Sequence, residues 1–183
     1  MFMGLVGSEM CIRDSRNDDG DPVMGNPNGS LTVYEFSDYN CGYCKRMFAP
    51  IMQMLAANDD VRFVVKEFPI LSQSSVTAAK AGIAAQKQGK FKSFHAEMMT
   101  YRGQVNDASI MQAAGAAGLD LAQLKQDMNS PKTTAIITRT RSAAAALSIN
   151  GTPGLVIGGT VIPGAIGIEE LQTVIDKERT EQG

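Results

Sequence analysis

Cys41-Gly42-Tyr43-Cys44 falls where a strand gives way to a helix, and that junction restricts the fold more than anything else in the chain. Before it, Leu31-Thr32-Val33-Tyr34-Glu35-Phe36 is rich in β-branched and aromatic residues and reads as a strand. After it, Lys45 to Ala57 reads as a helix, with Met47, Phe48, Ile51, Met52 and Leu55 forming one apolar face and Pro50 predicted to kink it. This placement puts the first sulfur on the opening turn of a helix, where unpaired backbone N–H groups and the dipole favour negative charge. The thiolate is the form that attacks disulfides. Cys44 follows one helical turn later, close enough to close a small ring. The layout is that of a reversible dithiol/disulfide switch.

Two blander readings of the pair are a structural metal site and a structural disulfide. A structural zinc site takes four ligands, and the chain offers this pair, one further cysteine (Cys11) and a single histidine (His95). A merely structural disulfide across so short a loop removes little chain entropy. Redox chemistry is the favoured reading.

The rest of the chain supplies a setting. Val61 to Glu67 is a second strand, ended by Phe68-Pro69, and the βαβ spacing predicts a parallel pair. From Ser75 to Ile149 alanine is frequent and apolar residues recur at helical spacing. Helices are predicted over Val76–Gln88, Phe91–Tyr101, Ala108–Ala117, Leu121–Met128 and Lys132–Leu147, with Asp107, Asp120 and Ser130 as caps. Strands return at Gly154–Ile157 and Thr160–Ile162 around Gly158-Gly159, a hairpin signal. A helix over Ile168–Glu178 follows. Residues 17–30 read as a loop. The expected division is residues 31–74 with 150–180 as one domain and 75–149 as a helical insertion.

Residues 1–15 read as a non-native leader. They are apolar at the start but lack a basic segment, and Ser8 to Ser15 resembles translated adapter sequence. Cys11 is therefore given no function. The net charge of −2 and the lack of a basic cluster argue against nucleic-acid binding. No apolar run approaches the about 20 residues of a membrane span.

Thr152-Pro153, in Asn150-Gly151-Thr152-Pro153-Gly154, is by itself only a turn signal. Joined to the CxxC and to this order of elements, it makes the chain similar to the DsbA-like thiol–disulfide oxidoreductases. The resemblance rests on the segments from Glu35 to Lys45, Lys66 to Leu71 and Gly151 to Gly154. It implies an α/β thioredoxin fold with an inserted all-helical subdomain and no cofactor. It implies a cis bond before Pro153 beside the cysteines, with the Thr152 backbone pairing to an extended substrate strand. Glu35, six residues before Cys41, matches the acidic residue that the family places beneath its site, where a buried carboxylate takes the proton of the buried thiol. A surface-facing Glu35 is the alternative.

The resemblance also implies protein thiols and disulfides as substrates, a membrane redox partner that resets the dithiol, and export to the periplasm or cell envelope. A disulfide-forming oxidase is favoured. Gly42-Tyr43 and Thr152 also occur in isomerases and reductases of the superfamily, which stay open. So does a non-catalytic module binding Cu(I) through Cys41 and Cys44. Glu67 reads as a strand-end charge, Asp38 as a cap, and His95 as a packed or partly exposed residue. Lys45 and Arg46 are placed to favour the thiolate electrostatically, though solvated helix charges contribute little on average. The 11 methionines read as core filling.

Overall fold

The computed structural model describes residues 16–182. The readings of residues 1–15, Cys11 included, lie outside the described residues. Elements run β1 (Val23–Gly25), β2 (Leu31–Ser37), α1 (Gly42–Ala57), β3 (Val61–Glu67), α2 (Gln73–Lys87), α3 (Phe91–Thr100), α4 (Asp107–Ala116), α5 (Leu121–Met128), α6 (Pro131–Ala146), β4 (Gly154–Ile157), β5 (Thr160–Pro163) and α7 (Ile168–Gln182). Among the described residues the strands form one sheet in the order β1-β3-β2-β4-β5. β2 and β3 run parallel from Leu31↔Val61 to Ser37↔Glu67, and the other neighbouring pairs are antiparallel. This is a thioredoxin fold with an inserted helical subdomain between β3 and β4.

Alternation along the central strands builds the layers. Leu31, Val33, Val61, Phe63 and Val65 face Met47, Ile51 and Met54 of α1 and Leu171 and Ile175 of α7. Tyr34, Phe36 and Val64 face the other way, onto Ala143, Ala144 and Leu147. A further core, within the inserted helices, is built on Ala78, Ala81, Phe94, Met98, Ile110 and Leu124. Tyr39, Cys41 and Cys44 belong to that cluster, so the CxxC is packed by the insertion as well as carried by the sheet's own helix. Helix α1 continues through Pro50 to Ala57. Met54 is buried, while Met52 is only half-buried.

Several boundaries differ from the sequence reading. The stretch read as a loop over residues 17–30 contains β1, antiparallel to β3. Three residues are too few to show a period, and the segment is held by long-range contacts. Asp21 is buried and pairs with buried Lys66 at 2.6 Å and with Arg139 at 3.0 Å. Gly25 closes the strand at φ +72°, where a Cβ would strike the Val61 carbonyl oxygen at 2.6 Å. Helix α2 starts at Gln73, with the Ser72 hydroxyl accepting from Ser75 N. Asn106, not Asp107, caps α4, in a reciprocal box with Ser109. Asp120 and Ser130 cap α5 and α6 as read.

Candidate active site

Strand β2 ends at Ser37, and a short turn delivers Cys41 to the N-cap of α1. Its sulfur accepts from the Cys44 backbone N–H at 3.5 Å, the cap bond that a serine or aspartate oxygen makes at other helix starts. Sγ of Cys41 also lies 3.2 Å from the carbonyl oxygen of Thr152. Both cysteines are free thiols and both are buried, Cys41 at 6% exposure and Cys44 at 1%. The two sulfurs are chemically unequal. Hydrogen bonding from Cys44, together with bonds from Thr152 and the backbone N–H groups of Cys44 and Tyr43, outweighs burial and draws the Cys41 thiol down to about 5. The same bond with Cys41, then burial and the charge of Glu35, drives the Cys44 thiol far upward. Only one of the pair is made for a thiolate.

Pro153 is buried and the Thr152–Pro153 peptide bond is cis. The register of β4 against β2 brings this loop to the CxxC, with Gly154 opposite Phe36. A cavity of about 230 Å³ opens beside the loop, lined by Ile149, Asn150, Thr152, Pro153 and Val161 among others. Tyr43, inside the CxxC, is 58% exposed and stacks under Arg46 at 4.4 Å. Ile70 and Leu71 are also exposed, on the loop whose N–H groups Asp38 holds at 2.9 and 3.0 Å.

Glu35 lies on the α1 side of β2 and is 1% exposed, so the surface-facing alternative fails. Neither carboxyl oxygen has a hydrogen-bond partner among the described residues. Burial, with the nearby charge of Cys41 adding to it, raises this carboxyl to about 8. A neutral acid near enough for its charge to bear on both sulfurs can give or take a proton near neutral pH.

Glu67 corrects the sequence reading. It is not a solvated strand-end charge but is 1% exposed, and it accepts from the Tyr39 hydroxyl at 3.0 Å. The signal for this was present, since alternation from Val61 through Phe63 and Val65 places Glu67 on the inner face. Burial pushes its carboxyl well above the usual range. His95 is packed and buried, as read, and its Nδ1 lies 3.0 Å from the same hydroxyl. Tyr39 was missed, because its partners are 28 and 56 residues away. Asp38 caps more than its own turn, accepting from Asn40 N, Ile70 N, Leu71 N and the Ser75 hydroxyl.

Gly82 of α2 makes room for this junction, since a Cβ there would lie 2.4 Å from Glu67 Oε1 and 3.0 Å from the Tyr39 oxygen. Gly82→Ala is therefore expected to lower the unfolding free energy by about 1–3 kcal/mol, despite alanine's better helix propensity. Urea titration of the variant beside the wild type checks this, and an unchanged or higher midpoint would contradict it.

The thioredoxin family model matches residues 17–177. A thioredoxin-like oxidoreductase from Silicibacter pomeroyi is 40% identical and superposes with a TM-score of 0.87, over 91% of this chain and 96% of its own. The thiol–disulfide exchange protein alpha-DsbA2 from Wolbachia pipientis is 26% identical, TM-score 0.83, over 96% and 99% of the two chains. Among curated relatives, a Na(+)/H(+) antiporter NhaA 1 from Mycolicibacterium gilvum is 31% identical over 76% of this chain. The chain spans only 23% of that antiporter's length. No helix among the described residues is long and apolar enough to cross a membrane.

Proposed function

This chain belongs to the thioredoxin family, among its DsbA-like members, and on that premise we propose that it passes a Cys41–Cys44 disulfide to protein thiols as a disulfide-forming oxidase. The observation that carries the proposal is the inequality of the two sulfurs. Cys41 caps a helix and is drawn down as a thiol, while Cys44 is buried and driven up. A stable thiolate on one cysteine favours the reduced form, which makes the disulfide a good oxidant.

In this mechanism a substrate thiolate attacks Sγ of Cys41. The Cys41–Cys44 bond breaks, a mixed disulfide forms, and the electron pair leaves on Cys44. Cys44 holds a negative charge poorly, and Glu35 supplies the proton that neutralises it. A second substrate thiolate then attacks the substrate sulfur of the mixed disulfide. Cys41 departs as the thiolate, a good leaving group because its pKa is low. The substrate has lost two electrons and the enzyme is a dithiol. Thr152 presents backbone to an extended substrate strand, and Tyr43, Ile70 and Leu71 offer it exposed apolar surface.

Resetting needs an electron acceptor, and a membrane redox partner is the reading carried over from the family. An oxidising compartment, the periplasm or cell envelope, suits a stable disulfide donor. The division into residues 31–74 with 150–180 and a helical insertion over 75–149 belongs to the same proposal.

Equilibration with glutathione of a Cys11→Ser variant tests the direction. A potential near about −120 mV is expected for an oxidase. A value near about −270 mV would move the assignment to a reductase supplied with electrons, and an intermediate one to an isomerase.

A further inference from the structure

The three residues before Cys41 all send their side chains toward the helical insertion and its approach. Asp38 accepts from the Ser75 hydroxyl of α2 at 2.7 Å and from the backbone of Ile70 and Leu71. The Asn40 amide donates to the Ser75 hydroxyl at 2.8 Å, with Ser72 and Ser74 at 3.0 Å. Tyr39 reaches deepest. Its hydroxyl lies 3.0 Å from Glu67 Oε1 and 3.0 Å from His95 Nδ1, so one oxygen is hydrogen-bonded on both sides. One oxygen thereby joins β3 to α3.

His95 is in turn fixed by rings. Its imidazole centre lies 4.9 Å from Phe91, 5.5 Å from Tyr39 and 5.7 Å from Phe48, which stands one turn beyond Cys44 on α1. Tyr39, Glu67 and His95 are each 1% exposed, so none can exchange its bond for one with bulk water. Burial holds the Tyr39 phenol and the Glu67 carboxyl well up and the His95 imidazole down to about 3. Asp38, and Glu35 and Asp21 when ionised, push the Glu67 carboxyl further in the same direction. The junction therefore stays neutral and fully bonded.

We propose that Tyr39 is a positioning residue for the redox step: bridged between Glu67 and His95, it locks the turn before Cys41 onto the insertion and so keeps the Cys41 sulfur at the helix N-cap. The inference rests on Cys41 being the nucleophile. It makes the insertion part of the machinery that sets sulfur reactivity, since the cap bond from Cys44 N to the Cys41 sulfur, 3.5 Å long as bonds to sulfur are, weakens if the turn shifts.

The test is the thiolate absorbance of the reduced protein near 240 nm, followed against pH beside thermal unfolding. Tyr39→Phe keeps the ring and removes the bridge. Its Cys41 midpoint is expected to rise by about one unit, a thiolate fraction about tenfold smaller at pH values well below the midpoint. Glu67→Gln keeps an acceptor and a donor beside the hydroxyl and is expected to titrate like the wild type. Glu67→Leu is expected to follow Tyr39→Phe, and it decides the matter if Tyr39→Phe does not fold. A role in packing alone lowers the unfolding midpoints of Tyr39→Phe and Glu67→Leu while their titrations match the wild type, and that result overturns the proposal. A wild-type titration that Cys41→Ser leaves unchanged is a different failure, because it removes Cys41 as the thiolate before any variant is compared.

Discussion

Replacing Cys41 by serine is expected to lower thiol–disulfide exchange by at least about 10³-fold, to the background of the buffer, with the fold intact. The size follows from the chemistry, since removing the nucleophile of a covalent mechanism abolishes its route rather than slowing it. Serine at the helix N-cap is itself a good cap, so the helix start is preserved. Cys44→Ser should behave differently. Cys41 still forms the mixed disulfide, but nothing within the protein can resolve it, and substrate-linked species accumulate. Mass spectrometry after mixing with an oxidised cysteine peptide reads both variants at once. Adducts on Cys41→Ser and none on Cys44→Ser would reverse the assignment of nucleophile.

The second large effect concerns Glu35 and the pH dependence of stability. Its folded pKa of about 8 lies above the ordinary value of 4.5, with burial as the leading cause. Below pH 4.5 the carboxyl is protonated in the folded and unfolded chain alike. Between 4.5 and 8 only the unfolded chain releases its proton, so unfolding becomes progressively easier, by up to about 5 kcal/mol once pH passes 8. Cys41 runs the opposite way in the reduced protein. Its thiol lies near 5 in the fold against an ordinary 9.0, so it contributes stability that is present at high pH and is lost as pH falls through about 5. The disulfide removes this second effect and, of the first, leaves the larger part that burial causes.

Urea denaturation of the oxidised protein is therefore expected to show stability falling as pH rises above 4.5, with Glu35→Gln flattening that slope. The reduced protein should gain stability over the oxidised one as pH rises across the same range. If Glu35→Gln and the wild type share one pH profile in the oxidised state, Glu35 is not the buried acid described here. The same variant should slow exchange by about 10²-fold or more, the usual scale for loss of a positioned acid–base group.

What could be read from the sequence was what depends on near neighbours. The strands over Leu31–Phe36 and Val61–Glu67 announce themselves by alternation and β-branched residues, and the helix after the cysteines by its apolar face. The CxxC carries its chemistry in its position alone. Capping was legible where one residue type stood by itself, as at Asp120 and Ser130. It was not where Asn106 and Asp107 are adjacent and chemically interchangeable. β1 was invisible because three residues show no period, and what holds them is Asp21 with Lys66 and Arg139, each more than 40 residues away.

The site divides in the same way. Cys41, Cys44, Thr152, Pro153 and Glu35 were named on motif and resemblance, and the fold brings the cysteines and the Thr152–Pro153 loop together. Glu67 was misjudged because a carboxylate at a strand end is most often solvated. Only the arrival of Tyr39, His95 and Gly82 from three other segments shows why this one is not. Long-range polar contacts of that kind leave no local pattern. Their trace in the sequence is a charged residue falling in phase with a buried row.

The central claim is that the Cys41–Cys44 disulfide passes to protein thiols, and rapid mixing tests it most directly. The oxidised protein is combined with a reduced two-cysteine peptide in chelator-treated, metal-free buffer, and both products are followed by mass. Transfer of the disulfide to the peptide, with Cys41 and Cys44 recovered as thiols in equal amount, is the expected result. A protein that binds Cu(I) through the two cysteines yet leaves the peptide reduced would contradict the account and make the pair a soft-metal site.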